Sequence, residues 1–149
     1  MLTLTHAGAL MLGAPAPKAP KVERKPADPP EGEWMLEWRE CDGAVTDDSR
    51  KKDDRKFRLT CSPTQWKLSL PNGLGAIAAE RAAWFDADGQ LEAEFGPADD
   101  PKAARKAIWK VVNDTLTICR GSPGGPRPTD YKATKGSDCE VWVFRRKGK

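Results

Sequence analysis

Cys41, Cys61, Cys119 and Cys139 are the side chains of this 149-residue chain with the widest chemical repertoire. Thiolates bind zinc, attack electrophiles or oxidise to disulfides, and their spacing separates these uses. No two of the four form a Cys-x-x-Cys pair, and the only histidine, His6, stands near the N-terminus, so a zinc ligand set is missing. No serine or cysteine occupies a nucleophile motif. An even number of widely spaced cysteines reads instead as two disulfides of an exported domain. The alternative is four buried thiols packing as small hydrophobes. Pairing of Cys41 with Cys61 is disfavoured. If residues 34–41 and 56–61 form a hairpin, the two lie near its opposite ends, beyond the roughly 7 Å Cα separation that a disulfide spans. The other pairings stay open.

The carboxylates are the next candidates for chemistry. Asp47, Asp48, Asp53 and Asp54 fall in the run DDSRKKDD. Acids interleaved with lysines mark a hydrated loop, and no partner base accompanies them. Asp86-Ala87-Asp88-Gly89 opens like a calcium loop, but Gln90, Glu92 and Glu94 follow in strand alternation rather than at ligand spacing. No catalytic residue, metal or cofactor is therefore assigned, and the chain reads as a non-enzyme. Twenty-five basic residues against 22 acidic ones give a net charge of +3. That charge is spread along the chain without a clustered basic face, which argues against nucleic acid.

The elements that must carry these residues centre on one hairpin. Residues 108–112 and 115–119 are β-branched and apolar, and Asn113-Asp114 between them tolerates the positive φ of a two-residue turn. That turn sets Val112 opposite Thr115, Val111 opposite Leu116 and Trp109 opposite Ile118. With a period of two, Trp109, Val111, Leu116 and Ile118 share one face, while Ile108, Lys110, Thr115, Thr117 and Cys119 share the other. Residues 120–126, rich in Gly and Pro, end the strand. A short strand over 129–134, a turn at 135–138 and a last strand over 139–146 follow. This last strand is apolar on both faces, so it must be covered on both sides or sit at a barrel seam.

Upstream, residues 33–41 alternate cleanly, with Trp34, Leu36 and Trp38 on one face. Residues 42–54 read as a solvated loop. Strands follow over 56–61 and 65–70, with a turn at Asn72-Gly73. From about Ala78 a strand runs to Phe85 although its alanines favour helix, and residues 90–95 form its partner. Residues 96–105 are a loop with one helical turn after Pro101.

The residues of the last third also carry a family likeness. The run DTLTICRGSPGGPRPTDYKATKGS, followed by a hydrophobic strand with a basic end, resembles a family of small uncharacterised domains abundant in planctomycete bacteria. Its elements are matched by Ile108-Trp109, Asn113-Asp114, Leu116 to Cys119 and Arg127 to Tyr131, and its opening Gly-x-Trp by Gly32-Glu33-Trp34. The likeness covers residues 32–146 and is loose between 42 and 104. It implies a lipocalin-like fold and carries no catalytic residues with it.

Together these readings give an all-β, antiparallel up-and-down barrel of eight or nine strands. Residues 1–16 read as a degenerate signal peptide, with an apolar run and the small-x-small form of Ala14-Pro15-Ala16 but no basic residue ahead of it. Residues 17–31 form a Pro/Ala/Lys-rich tether, and residues 32–147 a single barrel domain. The expected setting is secretion or the cell envelope, as a monomer without a membrane span. The expected function is non-enzymatic: a small apolar ligand held inside the barrel by Trp34, Leu36, Trp38, Phe57, Leu59, Trp66, Leu68, Trp109, Val111, Leu116 and Ile118. Packing alone also accounts for such a face. The alternative is a protein partner met by the loops 42–55, 96–105 and 121–127.

Overall fold

The computed structural model describes residues 22–48, 57–70, 75–97 and 99–148. The leader-like segment, the first part of the tether, Asp53, Asp54 and the Asn72-Gly73 turn lie outside the described residues. Ten strands are present: β1 (Arg24–Pro26), β2 (Gly32–Cys41), β3 (Ala44–Asp48), β4 (Arg58–Cys61), β5 (Gln65–Ser69), β6 (Ala76–Ala87), β7 (Gln90–Gly96), β8 (Arg105–Val112), β9 (Thr115–Pro123) and β10 (Glu140–Arg146). A single 3-10 turn spans Pro101–Ala103, and no α-helix occurs among the described residues.

Eight of the strands close into an antiparallel barrel in the order β2-β4-β5-β6-β7-β8-β9-β10, with β10 returning to β2. Up-and-down order follows from the tight turns, and the lipocalin-like barrel expected from the sequence is the fold. Two extra strands lie off the ring: β3 pairs the end of β2, and β1 pairs the end of β6.

The β8–β9 hairpin has the register its turn dictates: Val112 opposite Thr115, Val111 opposite Leu116, Trp109 opposite Ile118. Asn113 sits at φ 53°, the left-handed conformation such a turn needs. β9 nevertheless continues past Arg120 to Pro123, pairing with Arg105 across an irregularity. The Gly-Ser-Pro stretch is thus accommodated at the strand end, where a lost ladder donor costs least.

The alanine-rich segment is a strand because of what lies across from it. Ala82 pairs with Phe95 and Trp84 with Ala93, so small side chains make room for large ones inside a narrow barrel. Tertiary packing overrides helix propensity here.

Two hydrophobic clusters result. The interior contains Trp34, Leu36, Leu59, Trp66, Leu68, Trp84, Phe95, Trp109, Leu116, Ile118, Trp142 and Phe144, with Phe57 and Val111 partly buried against it. A second cluster of Ile108, Cys119, Ala133, Val141 and Val143 lies outside the wall. It is covered by the chain between β9 and β10, which folds back across β8–β10. β10 is therefore covered on both sides, one of the two placements its double apolar character allows.

Three expectations are corrected. Trp38 packs with the outer cluster, not the interior one. Leu36 pairs with Phe144 but Trp38 with Val143, so one extra residue on β2 forms a bulge and reverses the alternation. Arg39, not Trp38, then faces inward over Trp142. Residues 129–134 are not a strand. Ala133 accepts a hydrogen bond from Gly43 N and Asp42 Oδ1 accepts one from Gly136 N, so this chain crosses the sheet and pairs with the β2–β3 turn. Residues 44–48 are β3 rather than loop: Asp42 and Gly43 both take positive φ and close a tight hairpin.

The stretch read as a tether lies against the barrel from Arg24 onward. Arg24 pairs with Glu92 (3.0 Å) and Glu94 (2.9 Å) and covers the Phe85 ring. Arg127, from the covering chain, meets the same two carboxylates at 3.2 and 3.0 Å and donates to the carbonyls of Ala93 and Ala107. Arg127→Met is expected to lower stability by about 2 kcal/mol, read from the urea midpoint, because it removes charged hydrogen bonds from a half-buried site. Arg24→Met, whose partners keep Arg127, is expected to cost less.

Candidate binding groove and the charged barrel mouth

The alternation of each strand decides what reaches the barrel interior. An aromatic chain runs through it: Trp109 meets Trp84 edge-on at 5.5 Å, Trp84 meets Phe95 at 5.5 Å, Phe95 meets Trp66 at 5.6 Å, and Trp66 meets Trp142 at 6.0 Å. Trp142 then stacks on Phe144. Ten of the eleven residues expected to hold an interior ligand are brought together here, Trp38 being the exception. They are packed against one another, and Trp34, Leu59 and Leu116 have no exposed surface at all.

One mouth of the barrel is polar, which periodicity alone did not single out. Arg120 continues the inward row of Leu116 and Ile118, and Glu140 that of Trp142 and Phe144. Glu140 accepts from Arg120 Nε at 2.8 Å, Arg39 Nη2 at 3.0 Å and Trp142 Nε1 at 3.3 Å. Arg120 also holds Glu80 at 3.1 Å. Burial by itself raises the Glu140 carboxyl, but the two guanidinium groups outweigh it and hold the carboxyl below its ordinary value. An acid kept ionised and fully engaged is a closure for the barrel end, poorly suited to proton transfer. Among the described residues no three His, Cys, Asp or Glu side chains converge as a metal site.

All four cysteines are free thiols. The expected two-disulfide framework does not hold this barrel together. Cys61 is buried in the interior, and that burial pushes its thiol up to about 12. Among the described residues no helix is long and apolar enough to cross a membrane.

A groove opens on the barrel wall. β6 pairs with β5 as far as Arg81 and with β1 only from Phe85. Between them the chain at Thr64 and Ala27 closes the edges, with Thr64 O accepting from Ala82 N (2.9 Å) and Trp84 O accepting from Ala27 N (3.0 Å). A groove of about 620 Å³ lies over this change of neighbour. Pro26, Ala27, Pro29, Pro63, Ala83, Trp84, Phe85, Phe95, Pro97 and Ala104 line it, with Asp28, Arg81 and Glu94 as its charged groups. Gly96 lets β7 approach Ala104, where an added Cβ would stand 2.9 Å from Ala104 Cα. The groove residues were missed in the sequence because they come from five separate segments. The prolines flanking strands were their only signal. Comparison with family models, with curated proteins and with solved structures returns no match for this chain.

Proposed function

We propose that this chain is a non-enzymatic binding module that takes a small apolar ligand, and that the ligand sits in the wall groove of β6, not in the barrel interior. The observation that carries this reading is the groove itself. Its volume of about 620 Å³ lies within the roughly 300–1,000 Å³ of small-molecule sites. Its lining is mostly apolar, with Asp28, Arg81 and Glu94 as the few charged groups. The interior positions are occupied by side chains, which moves the site outward. Export is part of the proposal and rests on the leader-like N-terminus and the likeness to the planctomycete family.

Native mass spectrometry of the purified full chain tests it. A reproducible small-molecule adduct is expected, lost at least tenfold in Ala83→Trp, which fills the groove from a partly exposed position. An adduct that survives Ala83→Trp but is lost in Trp109→Ala would return the ligand to the interior. A clean mass under all conditions would overturn small-molecule binding.

One observation favours a second reading, a protein partner at the loops. The chain at 96–105 and that at 121–127 form a single surface, with Gly124 N donating to Ala104 O at 3.1 Å. Gly124 has φ +68° and comes so close that a Cβ would stand 2.7 Å from Lys102 O. Partner binding unaffected by Ala83→Trp would support that surface.

A further inference from the structure

Cys119 and Cys139 stand apart from the other two thiols. Cys119 is fully buried on the outer face of β9, and half-buried Cys139 packs against the same cluster. Cys119 lies opposite Val141 in the β9–β10 ladder, two residues beyond Cys139 and on the same face. Both thiols therefore border the same outer cluster, one on β9 and the other immediately before β10, on one face of the wall. Cys41 lies opposite Glu140 and shares its inward side, while Cys61 is enclosed in the barrel on β4.

We propose that Cys119 and Cys139 form a thiol–disulfide exchange site that reacts with a low-molecular-weight disulfide and fastens the covering chain between β9 and β10 to the barrel wall. Cys139 loses its proton to solvent and its thiolate attacks one sulfur of the external disulfide. That S–S bond breaks, one thiolate leaves and takes a proton, and Cys139 carries a mixed disulfide. Cys119, deprotonated in turn, attacks the Cys139 sulfur and expels the second thiolate. Both protein thiols are oxidised, and the external disulfide is reduced to two thiols.

The order follows from access. Cys139 is partly exposed, whereas burial first, then the neighbouring Cys139 thiol and Asp130, push the Cys119 thiol up to about 12. Cys119 therefore acts second, when the reacting sulfur is already beside it. The new bond closes the loop from 119 to 139 and removes freedom from the unfolded chain.

The test is incubation of the full chain with oxidised glutathione, then intact mass and tryptic mapping. A loss of two hydrogens is expected, with the peptide of residues 111–120 linked to that of residues 136–145. The melting temperature should rise by on the order of 10 °C. Cys139→Ser, at a half-exposed position that leaves the core intact, should abolish closure. A linkage through Cys41 or Cys61, a glutathione adduct that persists on Cys139 without closure, or four unreacted thiols would each overturn the proposal.

Discussion

Trp66→Ala is expected to destabilise the barrel by about 3–5 kcal/mol, the usual cost of deleting a large buried aromatic, while Trp66→Phe is expected to cost less than about 1 kcal/mol. Trp66 is 2% exposed and lies between Phe95 and Trp142 in the aromatic chain, with Arg120 over its ring at 5.1 Å. Alanine would leave a cavity in the middle of a closed wall that cannot collapse around it. Phenylalanine keeps most of those contacts and removes an indole N–H that has no protein partner. A buried donor without an acceptor costs about 1–3 kcal/mol, and its removal offsets the lost volume. Trp34 is the internal contrast, because its Nε1 donates to Pro30 O at 2.8 Å. Trp34→Phe leaves that carbonyl without its donor and should cost at least about 1 kcal/mol more than Trp66→Phe. Guanidinium unfolding followed by circular dichroism measures all three. Equal costs for the two phenylalanine variants would show that the orphan N–H does not matter.

Glu140→Ala should be as damaging, at about 3–5 kcal/mol, through charge rather than volume. Its removal leaves Arg39 and Arg120 facing one another at the barrel mouth, with Arg120 side-chain exposure of only 11%. Glu80 retains one of the two guanidinium groups and limits the loss. The same carboxyl makes the wild-type barrel acid-sensitive in a defined direction. Its folded pKa is lower than its unfolded one, so its contribution is fully present above the unfolded value of about 4.3. That contribution is lost as pH falls through the folded value. Stability measured between pH 7 and pH 3 should fall in the wild type, and the fall should be shallower in Glu140→Gln. Parallel pH profiles for the two proteins would mean that Glu140 does not set this dependence.

Much of the barrel was legible from local chemistry. The Asn113-Asp114 turn fixes the β8–β9 register residue by residue, because a two-residue hairpin leaves one pairing open and a period of two then sorts every side chain. The double apolar face of β10 pointed to cover on both sides or a place at the barrel seam, and the outer cluster supplies the cover. The Asp42-Gly43 turn was equally readable, yet the charge run after it masked the short strand β3.

Trp38 could not be placed that way. Its alternation with Trp34 and Leu36 is clean, but the bulge opposite Val143 depends on how β10 returns to close the ring. The charged mouth and the wall groove belong to the same class. Arg120 and Glu140 become a half-buried pair only because β9 and β10 lie side by side, and the groove exists only because β6 exchanges β5 for β1 along its edge. The sequence by itself determined most of the strands, most of their faces and the barrel, since these rest on turn geometry and alternation within a few residues. Tertiary structure alone decided the bulge, the ion pairs, the thiol pair and the groove, because each joins residues from strands that meet only when the barrel closes.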